Sequence, residues 1–259
     1  MTLADTPGRA LARANPVAKL AASAVLTIAL VLSLDWVSAS VALALEAVAL
    51  PLAGVPWRQL WRRTAPVWLA APLTGLTILL YGRAGGAVHV EWLLVRISDG
   101  SIELAIATVL RVLAVGLPAV VLFLTVDPTE LADGLAQLLR LPARFVLGAL
   151  AGVRLLSVFA DDWRALELAR RARGVADRGR VLRVAGQSFA LLVLAIRRGS
   201  TLATAMEARG FGAPGKRTWA RPSRLGRRDA ALVAGAVLIA ATAVAVSVAT
   251  DHWNFVAGR

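Results

Sequence analysis

The stretch AALVAGAVLIAATAVAVSVAT, Ala230 to Thr250, runs for 21 residues without a charge. As a helix it reaches about 31 Å at 1.5 Å per residue, enough to cross the roughly 30 Å hydrocarbon core of a bilayer. Working outward from it, four more apolar runs precede it. Leu20–Leu34 is uncharged and bracketed by Lys19 and Trp36, and Trp36–Val55 is interrupted only by Glu46. Thr64–Gly82 contains Pro66 and Pro72, and Leu104–Val126 contains Arg111 and Pro118. Membrane helices tolerate such prolines where neighbours re-satisfy the freed backbone groups. The chain is 58% hydrophobic with a mean hydropathy of +0.68, too apolar for a soluble domain. These runs predict an all-α polytopic membrane protein of the cell (plasma or inner) membrane, with about five transmembrane helices.

Charges set the expected topology. Arg9, Arg13 and Lys19 precede the first run, and Trp57-Arg58-Gln59-Leu60-Trp61-Arg62-Arg63 reads as a basic interfacial loop on the cytoplasmic side. In the stretch that follows, Arg83 and Arg96 are balanced by Glu91 and Asp99, and it is placed outside; within it Val88-His89-Val90-Glu91-Trp92 is too short to span and reads as interfacial or re-entrant. The alternation gives a cytoplasmic N-terminus and an external C-terminus. No small-x-small cleavage site follows the first run, so a signal peptide is not expected. The organisation is residues 1–126 with spans one to four, 127–228 as a cytoplasmic module, and 229–259 as the final span and an external tail.

Residues 127–228 hold 19 of the 29 Lys and Arg against 8 of the 16 acids, which is +11 of the net +13. Val184–Ile196, the longest uncharged piece there, has 13 residues and reaches only about 20 Å as a helix. The module is therefore expected to consist of amphipathic helices at the cytoplasmic surface. The first opens with Asp127-Pro128-Thr129-Glu130: a capping carboxylate, a proline at the first helical position and Glu130 three residues after the cap. A second begins near Pro142 and carries Gly148-x-x-x-Gly152, a spacing that permits close helix approach. Two more stretches end alike, one running from Asp161 to Ala172-Arg173-Gly174 and one from about Gln187 to Ala208-Arg209-Gly210. Each puts a cation at a helix C-terminus and a glycine where the chain can turn left-handed.

Several chemistries are excluded. There is no cysteine, and the two histidines, His89 and His252, are far apart, so no metal site is expected. Gly210-Phe211-Gly212-Ala213-Pro214-Gly215-Lys216-Arg217 approaches a phosphate-binding loop, but Arg217 stands where the magnesium-holding hydroxyl belongs, and the stretch follows a helix instead of opening one. No paired carboxylates or nucleophile arrangement occur, so the chain is read as no enzyme and without cofactor.

In a chain this rich in Ala, Arg and Gly, two copies of a tripeptide carry little weight alone, and specificity comes from context. Asp127-Pro128-Thr129-Glu130-Leu131-Ala132-Asp133-Gly134-Leu135 opens the basic region. Glu167-Leu168-Ala169-Arg170-Arg171-Ala172-Arg173-Gly174 ends one helix, and Ala203-Thr204-Ala205-Met206-Glu207-Ala208-Arg209-Gly210-Phe211 ends the other. Together with Asn15-Pro16-Val17-Ala18-Lys19-Leu20, these resemble the T component (EcfT/CbiQ-like) of energy-coupling-factor (ECF) ABC transporters over essentially the whole chain. Asp127 stands where that family usually has Ser or Thr, and Val17-Ala18 replace a more polar pair. The resemblance implies a non-catalytic scaffold that joins two cytoplasmic ABC-type ATPases to a substrate-capturing S component in the membrane, for uptake of a vitamin or a transition-metal ion. It further implies that Ala172, Arg173, Gly174, Ala208, Arg209 and Gly210 dock the ATPases.

Two ionisable residues lie within the spans, where charges are costly and usually paired. Glu46 and Arg111 sit at matching depths, which predicts an ion pair fixing the scaffold. The competing reading is a stand-alone permease that lines its path with these two residues. A nucleic-acid partner is not expected, because the arginines alternate with apolar stripes and few aromatics accompany them.

Overall fold

The computed structural model describes residues 11, 13–33, 35–49, 56–82, 85, 87–92, 95–174, 179–213 and 218–251. The protein is all-α and polytopic: α1 (Pro16–Leu32), α2 (Trp36–Ala49), α3 (Trp57–Tyr81), α4 (Asp99–Phe123), α5 (Pro128–Gln137), α6 (Ala143–Ala172), α7 (Arg180–Ala208) and α8 (Arg227–Ala249). Between α3 and α4, β1 (Val88–Trp92) and β2 (Val95–Ser98) pair antiparallel, with Glu91 opposite Arg96. The segment read as interfacial or re-entrant is thus a strand of a two-stranded ladder.

The chain divides into two compact units: residues 1–131 with 223–259, and residues 132–222. The first is a helical bundle whose core is built on alanine. Ala22 and Leu26 of α1 meet Leu122 of α4 and Ala236 and Ala240 of α8. Leu30, Ala42, Ala114 and Ala243 join α1, α2, α4 and α8, and Ala71 of α3 packs on Leu113 and Leu117 of α4. Small side chains let helix backbones approach, which replaces the hydrophobic drive that lipid cannot supply. Gly116 of α4 shows how tight this is, since a Cβ there would fall 2.6 Å from Val67 Cγ1 of α3.

Three helix starts have a local cause in a side-chain cap. Asn15 caps α1 by accepting from Val17 N–H at 2.9 Å, with Pro16 at the first helical position. Ser98 and Ser101 cap α4 reciprocally, at 3.3 and 2.9 Å. Asp127 Oδ1 accepts from Thr129 N–H at 2.7 Å and Glu130 N–H at 3.3 Å at the start of α5, where Pro128 is the first residue.

Three expectations are corrected. Trp57–Arg63 is not a loop but the first two turns of α3, because nothing in it breaks a helix and Pro56, itself extended, is the N-cap. The stretches expected to begin near Pro142 and at Asp161 are one continuous helix, α6, of 30 residues, and α7 has 29. Their apolar pieces are therefore not too short: α3, α4, α6, α7 and α8 are all long and apolar enough to cross a membrane, whereas α1 and α2 have 17 and 14 residues. Charges interrupt an uncharged run without interrupting a helix. Residues 50–55, which belong to the expected second span, and residues 214–217, the second half of the loop-like glycine stretch, lie outside the described residues.

Candidate functional site

Within residues 132–222, α6 and α7 run antiparallel. Asp162 of α6 meets Arg198 of α7 in a bidentate pair, with Arg198 Nη2 to Asp162 Oδ1 at 2.9 Å and Arg198 Nη1 donating to Oδ2. Arg170 donates to Arg183 O at 3.4 Å, and its guanidinium lies against Gly186, where a Cβ would sit 3.0 Å from Nη2. Elsewhere the pair buries little: α6 has no buried residue, and on α7 only Gln187 is buried.

Both helices end in the same way. Arg173 is the C-cap of α6 with φ −86° and ψ 1°, and Gly174 follows with φ +66° and donates to Arg171 O at 3.0 Å. Arg209 is the C-cap of α7 with φ −90° and ψ 12°, and Gly210 follows with φ +75°. There Gly210 N–H bonds Glu207 O at 2.8 Å and Phe211 N–H bonds Met206 O at 2.9 Å, the two bonds of a Schellman cap. The glycines are required by these left-handed conformations, since no atom lies within 4 Å of a Cβ built at either one. Ala172, Arg173, Gly174, Ala208, Arg209 and Gly210 are all exposed. Among the described residues, no acid pairs with either capping guanidinium. Beside the second end, Arg209, Gly210 and Phe211 line a groove of about 740 Å³ together with Leu147, Ala151 and Arg154 of α6 and Met206 of α7. Arg209 is therefore level with the start of α6, about twenty residues or roughly 30 Å along the helix from Arg173.

In the bundle, Asn15 and Lys19 tie α1 to later parts of the chain. Asn15 N–H donates to Asp229 Oδ1 at 2.6 Å, and its Nδ2 reaches Ser223 Oγ at 2.9 Å and Arg224 O at 3.3 Å. Asp229 also accepts from Gly226 N–H at 2.7 Å, so one carboxylate caps α8 and holds α1. Lys19 is fully buried and donates from Nζ to Thr125 O at 3.0 Å, where α4 ends.

The expected Glu46–Arg111 pair is not formed. Glu46 is buried and neither carboxylate oxygen has a hydrogen-bond partner, while Arg111 donates from Nη2 to Ser33 O. The depths counted along the apolar runs do not hold in the fold: Arg111 meets Ser33 beside Asp35, whereas Glu46 lies eleven residues, about 16 Å, further along α2. Arg111 is drawn instead to a cluster that sequence reasoning missed. Asp35 accepts from Ser33 Oγ, from Ser38 N–H at 2.6 Å, from Ser38 Oγ at 2.9 Å and from Ser247 Oγ of α8 at 2.6 Å. Its signal was present, an acid just before a helix with Ser38 three residues on, which is an N-cap pattern. The permease reading loses Arg111 from its path, since the cavity that Glu46 lines does not include it.

These features define a multi-pass, all-α membrane protein with a separate helix-pair unit. The family profile described as CbiQ, a cobalt transport protein, matches residues 7–219. The chain is 29% identical over 200 residues to the energy-coupling factor transporter transmembrane protein EcfT of Limosilactobacillus fermentum, covering 73% of this chain and 74% of that one. It is 30% identical over 197 residues to the EcfT of Exiguobacterium sibiricum, covering 71% and 74%. With that of Staphylococcus aureus the identity is 27% over 186 residues, covering 66% and 69%. The chain belongs to this EcfT/CbiQ family, as the transmembrane component of an energy-coupling factor transporter.

Proposed function

We propose that the chain is the non-catalytic scaffold that couples two cytoplasmic ABC-type ATPases to a substrate-capturing membrane subunit, with a cytoplasmic N-terminus in the plasma membrane and residues 127–228 as the coupling module. The observation that carries this reading is the pair of matched helix ends. Both present a left-handed glycine and an arginine without an acid partner among the described residues, both are exposed, and they face opposite ends of one antiparallel helix pair, roughly 30 Å apart along α6. Two separated, chemically equal contact points suit two ATPase subunits better than one. A guanidinium at each end offers planar bidentate hydrogen bonds to carboxylates or carbonyls of a groove, and Ala172 and Ala208 keep the helix ends slim enough to enter it.

In this mechanism ATP binding and hydrolysis move the two ATPases relative to each other, and the helix ends receive that motion. The rods α6 and α7, locked by Arg198–Asp162, transmit it to the membrane-embedded subunits, and the capture subunit releases its cargo inside. Cargo choice rests with that subunit, so a vitamin or a transition-metal ion such as cobalt fits equally; the word cobalt belongs to the family's description. Arg173→Glu with Arg209→Glu tests the reading by co-purification with the ATPases. Undiminished ATPase capture by the double variant would remove the docking role.

A further inference from the structure

Among α1, α2, α4 and α8 the bundle holds a cavity of about 470 Å³, within the size range of small-molecule sites. Its walls are apolar, with Leu26, Leu122, Leu232, Gly235 and Ile239 prominent, and Glu46 lines it. Glu46 is 3% exposed, and neither of its oxygens has a donor. A buried carboxylate without a donor is expensive, so the ionised form of Glu46 calls for a donor from outside the described residues. The cations nearby do not supply one. Arg111 is committed to Ser33 O, and Arg228 lines the opposite end of the cavity. The Ser247–Asp35 contact sets the register of α8 on α2, which puts Glu46 about 16 Å and Arg228 about 28 Å from that level, hence roughly 12 Å apart along the bundle.

We propose that this cavity binds an amphiphile bearing an ammonium group, with the N–H donors on Glu46 and the apolar body against α1, α4 and α8. A lipid headgroup such as that of phosphatidylethanolamine and a free long-chain amine share this chemistry. The ligand supplies both things the cavity lacks, a cationic donor at depth and apolar volume to fill it. Arg228 at the far end excludes a second positive group from the same ligand and tolerates an anionic one.

The test uses the full chain in nanodiscs of phosphatidylcholine, which has no N–H donor, with decylammonium and the neutral decanol as probes and native mass spectrometry as the readout. Decylammonium should saturate at one per chain and bind at least about 10-fold more tightly than decanol. Glu46→Gln should weaken it about 10- to 100-fold, the range of one charge-assisted hydrogen bond. Gly235→Leu should exclude the probe by filling the cavity, at a position where an added Cβ meets nothing within 4 Å and the fold is spared. Equal binding of amine and alcohol, unchanged binding to Glu46→Gln, or retained binding to Gly235→Leu would each overturn the proposal. With those results in hand, lipid extracted from the chain purified directly from membranes separates the sources. Phosphatidylethanolamine enriched over the Glu46→Gln variant assigns a headgroup, and equal lipid content assigns a free amine.

Discussion

The helical bundle answers most of its buried polar groups from within, Glu46 and the Arg111 Nε being the exceptions, whereas the helix pair of residues 132–222 leaves most of its own on the surface. In the bundle, Lys19, Asp35 and Asp229 are all buried and all answered from within the chain, by Thr125, by three serines, and by Asn15 and Gly226. In the helix pair, the capping arginines are exposed and have no acid partner among the described residues, and apolar side chains such as Leu156, Phe189 and Ile196 are more than half exposed. Residues satisfied internally serve the fold. On the proposed reading, the arginine ends, which hold a defined backbone geometry and carry no acid partner among the described residues, serve the ATPase contact.

This contrast separates losses of assembly from losses of stability. The largest effect is expected at the exposed ends: Arg173→Glu with Arg209→Glu should weaken ATPase capture by about 100- to 10,000-fold if the two sites add, with no change in the chain's own unfolding midpoint. A fall in midpoint would break the distinction. Next comes Asp35→Ala, which leaves three hydroxyls and the Ser38 N–H buried without their acceptor. A loss of about 3 kcal/mol is expected, read as a lower thermal midpoint in detergent, with ATPase capture by the folded fraction intact. Glycines give a matched comparison. Gly116→Val drives into Val67 and should cost about 1–3 kcal/mol, while Gly148→Val and Gly152→Val, where nothing lies within 4 Å, should leave the midpoint within about 0.5 kcal/mol of the parent. The smallest effect is Asp162→Asn. Its partner Arg198 is partly exposed, so about 1 kcal/mol or less is expected, read as faster hydrogen exchange along α6 and α7 and fading as salt is raised.

The spans α4 and α8 were legible because each is a nearly uncharged run of membrane length, and the helix ends at Gly174 and Gly210 were legible because a glycine following a cation marks a C-terminus. The lengths of α6 and α7 were not. Arg154, Asp161, Asp162 and Arg164 cut the apolar runs, and a run count mistakes such charges for ends although the helix continues through them. Register was also hidden. Counting from the ends of apolar runs gave Glu46 and Arg111 equal depth, but Arg111 meets Ser33 beside Asp35 and Glu46 lies about 16 Å further along α2. Asp35 went unremarked because one acid between two apolar runs resembles a solvated turn; only Ser247, more than two hundred residues later, reveals it as buried.

Among the described helices α8 is translated last, after all of residues 132–222, yet it covers the helices made first. Until Ala236, Ala240, Ala243 and Ser247 emerge, Ala22, Leu26, Leu30, Ala42 and the Asp35 carboxylate lack the surface that seals them. At 5–20 residues per second the ribosome needs roughly 5–20 s to translate the intervening unit. For that interval the newborn protein carries an open seam one helix wide in the bilayer. Its maturation is therefore timed by the ribosome: the bundle closes only after the helix pair with both arginine ends has already been delivered.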